Sequence, residues 1–234
     1  MEYFYTPPAR IEHGRLTIED DEFAHLTHVM RKAVGDELVV VDGEGSAYQA
    51  TIVEVRANAA LCIIRSQTVG LHESSIELIL GVSVLKNSSN FDFLVEKTTE
   101  LGVRAIVPLT TERTIPHHAK TGRWQKLALA AMKQSGRCVL PRVHELTELP
   151  KFLVSCQSDA LRIMPHELSL SPLSTCLSAK DVRRVVICIG PEGGFSEAEA
   201  QLAQERGFEL VSLGPRRLRT ETAAIVASAR VLGV

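Results

Sequence analysis

The sequence predicts an α/β protein in two parts: a small β-barrel carrying one helix, then a parallel sheet covered by helices on both faces. Three observations lead there. The first seventy residues break into short strands with two-residue alternation. Beyond a polar stretch at residues 70–75 the apolar period changes, and strands alternate with helical stripes. Near the end, two apolar strands each run into a glycine turn that opens onto a helix.

In the first part, residues 20–31 place Phe23, Leu26 and Met30 on one helical face. Leu38-Val39-Val40-Val41 is a strand, and Asp42-Gly43-Glu44-Gly45 is a hairpin turn signal. The return strand turns Tyr48, Ala50 and Ile52 inward and Gln49 and Thr51 outward. Asn58 marks another turn before the strand Leu61-Cys62-Ile63-Ile64. A boundary near His72 divides the chain into residues 1–72 and 73–234.

In the second part, residues 76–84 form a buried strand. The stripe Phe91, Leu94, Val95, Thr98 and Leu101 forms a helix that Gly102 ends as its C-cap. Ala105-Ile106-Val107-Pro108-Leu109 is the next strand, and Trp124, Leu127, Ala128 and Ala131 mark a helix closing near Gly136. Ser196-Glu197-Ala198-Glu199 is a capping box; its helix stops at Gly207, before the strand at 208–213. Thr220 is the expected N-cap of the terminal helix. That helix, with Ala223-Ala224-Ile225-Val226-Ala227-Ser228-Ala229, is apolar nearly all round and predicts burial in a core or a subunit interface.

The two glycine turns are the chemical signal. Val185-Val186-Ile187-Cys188-Ile189 leads into Gly190-Pro191-Glu192-Gly193-Gly194-Phe195-Ser196, and Leu213 leads into Gly214-Pro215-Arg216-Arg217-Leu218-Arg219. Glycine carries no Cβ and accepts positive φ, so bare backbone can approach a ligand there. In open α/β sheets, ligands bind beyond the carboxyl ends of the strands. Neither turn is a P-loop or a dinucleotide fingerprint.

Composition narrows the class. A 45% hydrophobic content in 234 residues describes a folded chain, and no apolar run approaches a membrane span. The acidic, polar start lacks a signal-peptide pattern, so a cytoplasmic protein is expected. Cys62, Cys138, Cys156, Cys176 and Cys188 are odd in number and scattered, as small core residues rather than a disulfide frame. The histidines show no ligand spacing, and no metal is expected. Net charge is −2; residues 1–72 carry 6 basic against 11 acidic side chains and residues 73–234 carry 20 against 17. Phosphate binding depends on local arginine and lysine, so this balance leaves RNA open as a partner.

The two glycine turns, with Leu218-Arg219-Thr220-Glu221-Thr222-Ala223, resemble the C-terminal signature of the RsmE family. Its members are bacterial ribosomal RNA uridine-N3 methyltransferases of the trefoil-knotted SPOUT superfamily. Lys97-Thr98-Thr99-Glu100-Leu101-Gly102-Val103, Glu112-Arg113, Gln134-Ser135-Gly136-Arg137 and Val29-Met30-Arg31 agree with it, so the likeness runs nearly end to end. It implies a PUA-like, RNA-binding barrel at 1–72 and a SPOUT domain at 73–234, knotted across the loops after Met164, Ile189 and Leu213. It also implies a homodimer acting on small-subunit ribosomal RNA.

The implied cofactor is S-adenosylmethionine, held by backbone at Gly190, Gly193, Leu213 and Gly214, by Thr220, and by apolar walls at Met164, Ile189, Leu213 and Leu218. Methylation at N3 requires loss of the ring proton. Glu221 or Glu192 as general base, or Arg219 stabilising the anionic ring, could meet that need. Arg31, Lys86, Arg113, Arg123, Lys126, Arg137 and Arg216 are the expected RNA contacts. A non-catalytic RNA-binding protein and a small-molecule enzyme are the competing classes; the intact glycine segments oppose the first, and the missing dinucleotide fingerprint opposes the second. Two positions depart from the family. Tyr3 stands where arginine is common, and Arg217 stands at a usually aliphatic position, where it should point outward or pair with an acidic neighbour.

Overall fold

A computed structural model of the chain describes residues 2–156, 158–178 and 182–234. The chain divides into two compact units, one of Met1–Glu73 with Leu129–Leu140, the other of Ser74–Ala128 with Pro141–Val234.

The first unit holds β1 (Tyr3–Tyr5), β2 (Ile11–Glu12), β3 (Arg15–Glu19), α1 (Asp20–Ala24), β4 (Glu37–Val41), β5 (Ser46–Val55) and β6 (Ala59–Val69). They form one mixed sheet in the order β1-β4-β5-β6-β3-β2, in which only the β1–β4 pair is parallel. The sheet curls onto itself. Phe4, Leu16, Ile18, Leu38, Val40, Tyr48, Ala50, Ile52 and Cys62, drawn from strands along the whole path, share one buried cluster. The Thr6 hydroxyl donates to the Thr17 carbonyl at 2.6 Å, tying the residue after β1 to β3. The inward alternation of Tyr48, Ala50 and Ile52 is as expected. The expected helix is shorter: after α1 the chain widens into a π turn at His25–Val29, with the Met30 N–H donating to His25 O. Leu26 still reaches the core, with Phe23 and Met30 packed beside it.

The segment 129–140 completes this unit. Met132 and Cys138 pack with Val41 and Ala47, and Tyr3 lies against the same cluster. A Cβ on Gly136 would stand 3.0 Å from the Tyr3 ring, and φ is +71° there, so glycine is required on both counts. Tyr3 is therefore a packing residue. Arg137 corrects an expectation as well. It is only 2% exposed, its Nη2 donates to Glu73 Oε2 at 2.7 Å, and Glu73 Oε1 also accepts the Cys138 and Val139 amides at 3.0 Å. A guanidinium so enclosed by a carboxylate does not face RNA.

The second unit contains β7 (Glu77–Ser83), α2 (Ser88–Leu101), β8 (Ala105–Thr110), the first half of α3 (Thr121–Ser135), β9 (Arg142–Val143), β10 (Thr147–Glu148), α4 (Leu149–Ser155), β11 (Leu161–Pro165), α5 (Leu173–Ser178), β12 (Arg184–Ile189), α6 (Glu197–Glu205), β13 (Glu209–Val211) and α7 (Thr220–Leu232). The strands are all parallel in the order β10-β8-β7-β12-β11-β13, with β9 on β8. After β8 the chain adds β9 and β10 beside it, crosses to β11, returns to fill β12 between β7 and β11, then adds β13 outside β11. That path brings the carboxyl ends of β11, β12 and β13 side by side.

Local signals behave as expected in this unit. Gly102 caps α2 at φ +114°, and Ser196 and Glu199 form the reciprocal capping box of α6. Phe91 and Trp124 stack at 4.0 Å, while the Trp124 indole donates to Asp92 at 2.9 Å. Helix α7 lies on α2 and the sheet, burying Ala224, Ala227, Ser228 and Val231. All five cysteines are free; burial pushes the Cys62 thiol up to about 11 and keeps Cys188 well above its ordinary value. Among the described residues, no helix is long and apolar enough to cross a membrane.

Candidate active site

Three loops leave the adjacent ends of β11, β12 and β13 and border one cleft that is partly open to solvent. Ile189, Leu213, Leu218, Phe195, Pro165 and Ala223 give it apolar walls, while Glu167, Glu192, Arg216 and Arg217 supply charge. This mixed lining suits a ligand with an apolar, nucleoside-like body and a charged tail.

The loops are held open by side chains that bind their carbonyls. Thr220 Oγ1 donates to Gly190 O at 3.0 Å and Arg113 Nη1 to Gly193 O at 2.7 Å. Arg217 Nη2 donates to Glu192 O at 3.3 Å, and Arg230 Nη1 to Leu213 O at 3.1 Å. Glu199 adds a further tie: one carboxylate oxygen accepts the Ser196 amide at 2.9 Å, the other the Glu112 amide at 2.8 Å. Each such bond is modest, but together they fix the loops before any ligand arrives. Thr220 therefore acts across the cleft. The N-cap of α7 is Arg219, and the Thr220 hydroxyl makes a bond to a carbonyl thirty residues back rather than a local cap.

The structure brings together Ile189, Gly190, Leu213, Gly214, Leu218, Thr220 and Arg216 at the cleft. Met164 lies elsewhere, fully buried in the core beside Val186 and Cys188, and the wall is formed instead by Pro165, His166 and Glu167. Alternation along β11 accounts for this: the residue at the strand end turns to the opposite face from its predecessor. Gly193 lies under the Arg113 side chain, where a Cβ would be 3.3 Å from Arg113 Cδ. Gly214 adopts φ +120°, and a Cβ there would meet no atom within 4 Å. Its glycine is demanded by conformation, and its amide is already turned to Ser212 Oγ at 3.2 Å.

Of the chemical candidates, Arg219 is exposed and outside the cleft lining. Glu221 is half-buried, and one of its oxygens accepts from Asn90 Nδ2 at 3.1 Å. Glu192 lines the cleft, with its carboxylate accepting the Lys86 amide at 3.2 Å. Among the expected RNA contacts, Arg31, Lys86, Lys126 and Arg216 are exposed. Arg123 is 62% exposed and paired with Asp92 at 2.7 Å, Arg113 is engaged at Gly193, and Arg137 is internal. His166 and Arg217 were missed as cleft residues, because only the fold brings them there. Among the described residues no group of three His, Cys, Asp or Glu side chains is arranged for a metal.

Comparison with known proteins gives the same class. A family model described as an RNA methyltransferase domain matches residues 72–232, and one described as an RNA methyltransferase PUA domain matches residues 18–65. The chain belongs to this RNA methyltransferase family. Its fold is the α/β fold of the knotted SPOUT class with a PUA-like barrel before it. The Ribosomal RNA small subunit methyltransferase E of Aquifex aeolicus is 31% identical over 231 residues, covering 96% of both chains. Its counterpart in Synechocystis is 31% identical over 230 residues, covering 96% of this chain and 75% of its own. The crystal structure of the Neisseria gonorrhoeae enzyme of that name, bound to S-adenosyl methionine, superposes with a TM-score of 0.86 at 32% identity, over 98% of this chain and 96% of that one.

Proposed function

We propose that this protein transfers the methyl group of S-adenosylmethionine to N3 of one uridine in small-subunit ribosomal RNA. In this reading it is a cytoplasmic homodimer that acts on assembled small subunits during ribosome maturation. The single observation that carries the reading is the cleft at the ends of β11, β12 and β13, apolar-walled and bounded by carbonyl-tied glycine loops. The small-subunit methyltransferases it resembles supply the substrate class. The unit of residues 1–73 with 129–140 acts as the RNA-binding barrel, in place of the expected 1–72, and the other unit acts as the methyltransferase domain.

The cofactor, when bound, supplies an electrophilic methyl group on a cationic sulfur. Ile189, Leu213 and Leu218 would hold its adenosine, with Gly190 and Gly214 shaping the loops around it and Thr220 bracing Gly190. The protein must stabilise the uracil as its N3 proton leaves. Arg219 is suited to stabilising that anion, because its guanidinium has no ion-pair partner among the described residues and it immediately follows the second glycine loop. A carboxylate could take the proton, and Glu192, which lines the cleft, is better placed than Glu221, which is outside the lining and hydrogen-bonded to Asn90. Arg31, Lys86, Arg123, Lys126 and Arg216 would contact phosphate, positioning the RNA without reading its sequence. The target uridine must be unstacked to enter the cleft.

The test combines calorimetry with S-adenosylmethionine and mass mapping of small-subunit RNA after incubation with enzyme and cofactor. Saturable binding and one added methyl at N3 of a uridine are expected. In Gly214→Val, a β-branched side chain cannot hold φ +120°, so the loop must rearrange and cofactor binding is lost while the melting temperature holds. Wild-type affinity in a folded Gly214→Val protein would remove that loop from the site.

Assembly can be tested separately. Ala223, Ile225, Val226 and Ala229 remain half-buried on α7 after the opposite side has packed on α2, an apolar strip suited to a two-fold contact. Light scattering should report twice the chain mass at micromolar concentration; a monomer at every concentration would defeat the dimer.

A further inference from the structure

The guanidinium of Arg217 lies at the cleft, yet nothing derived above uses it for more than a single weak bond. It lines the same space as Glu192, Gly214 and Leu218, and its one hydrogen bond, from Nη2 to the Glu192 carbonyl, is long at 3.3 Å. Among the described residues it pairs with no carboxylate. The nearest acid on the facing loop, Glu192, has one carboxylate oxygen engaged by the Lys86 amide. A guanidinium presents five donors in a planar fork, so Arg217 keeps most of its donors for something else in the cleft. Its one bond points the exposed side chain across the gap toward the first glycine loop. Arg216, the other cleft arginine, has no such bond among the described residues, which suits it better to mobile phosphate.

We propose that Arg217 is a ligand-binding residue of this cleft and recognises the carboxylate of the amino-acid tail of the methyl donor. This rests on the reading of the cleft as an S-adenosylmethionine site. That ligand carries one anionic group, its carboxylate, alongside a cationic ammonium and a cationic sulfonium. A guanidinium at the cleft repels the two cations and draws the carboxylate, which its fork can bind through two parallel bonds. The carboxylates of Glu192 and Glu167 remain on the same walls for the cationic groups. Arg217 thus sets which end of the ligand occupies the open side of the cleft.

The experiment compares two ligands by calorimetry. S-adenosylhomocysteine retains the amino-acid tail, whereas 5′-methylthioadenosine lacks it but keeps the nucleoside. Arg217→Ala should weaken the first by roughly 10- to 100-fold, the range expected for losing a hydrogen bond to a charged group, and leave the second within about twofold. Arg217→Gln, which keeps the length but not the charge, should fall between. Thermal melting of both variants checks that they are folded. Unchanged S-adenosylhomocysteine affinity in Arg217→Ala would overturn the assignment, as would an equal loss for both ligands, because then Arg217 acts only by shaping the loop through Glu192. A higher KM for small subunits with unchanged ligand affinity would likewise overturn it and make Arg217 an RNA contact. If the wild-type protein binds neither ligand, the cofactor reading itself fails, an outcome distinct from a failure confined to the variant.

Discussion

Arg137→Ala should destabilise the protein by about 3–5 kcal/mol, because truncation leaves the carboxylate of Glu73 enclosed without its counter-charge. Arg137 is 2% exposed and the Glu73 side chain 13%, so neither charge recovers much water when its partner is removed. For a chain of this size the loss corresponds to a drop in Tm of roughly 10 °C. Glu73→Gln should also destabilise, since it strands the guanidinium and weakens the acceptor that holds the Cys138 and Val139 amides. Differential scanning fluorimetry measures both. A stable Arg137→Ala protein with a selective loss of RNA affinity would return Arg137 to the RNA surface.

Arg219→Ala should bind S-adenosylmethionine normally, because Arg219 is outside the cleft lining, and should transfer methyl more slowly by roughly 10²–10³-fold, as for loss of one electrostatic stabiliser. Single-turnover rates with saturating small subunits isolate the chemical step. If Arg219 bound only phosphate, the defect would appear as weaker RNA binding and disappear at saturation. Near wild-type turnover would rule Arg219 out and turn attention to Glu192.

The local grammar of the sequence was readable where the physics is local. The capping box at Ser196 and Glu199 depends on two residues three apart, and the left-handed C-cap at Gly102 on one. The inward face of Tyr48, Ala50 and Ile52 follows from alternation alone. The two glycine turns stand out in the sequence as a pair, and the strand ends bring them together at one cleft. What escaped were pairings set by distant parts of the chain. Nothing around Arg137 signals burial, because Glu73 lies sixty-four residues away. Thr220 reads as a cap until Gly190 comes within reach of its hydroxyl. Met164 and Pro165 differ by one residue, and only the register of β11 in the sheet decides which faces the cleft. Arg217 is exposed, as one of its two expected placements had it, but nothing local signals the carbonyl of Glu192 that it reaches.

The composition of the first unit has a consequence for how the chain is made. Val41, Ala47 and Glu73 await Met132, Arg137 and Cys138, yet Ser74–Ala128 intervenes and belongs to the other unit. At translation speeds of roughly 5–20 residues per second, several seconds pass between the emergence of Glu73 and that of its partner. During that interval a carboxylate and an apolar patch stay uncovered on a nascent barrel, while β7, α2 and β8 have already left the ribosome. The first unit therefore cannot close until Leu140 has emerged, long after Glu73, and a fragment ending at Glu73 would reproduce the unfinished intermediate rather than a free-standing domain.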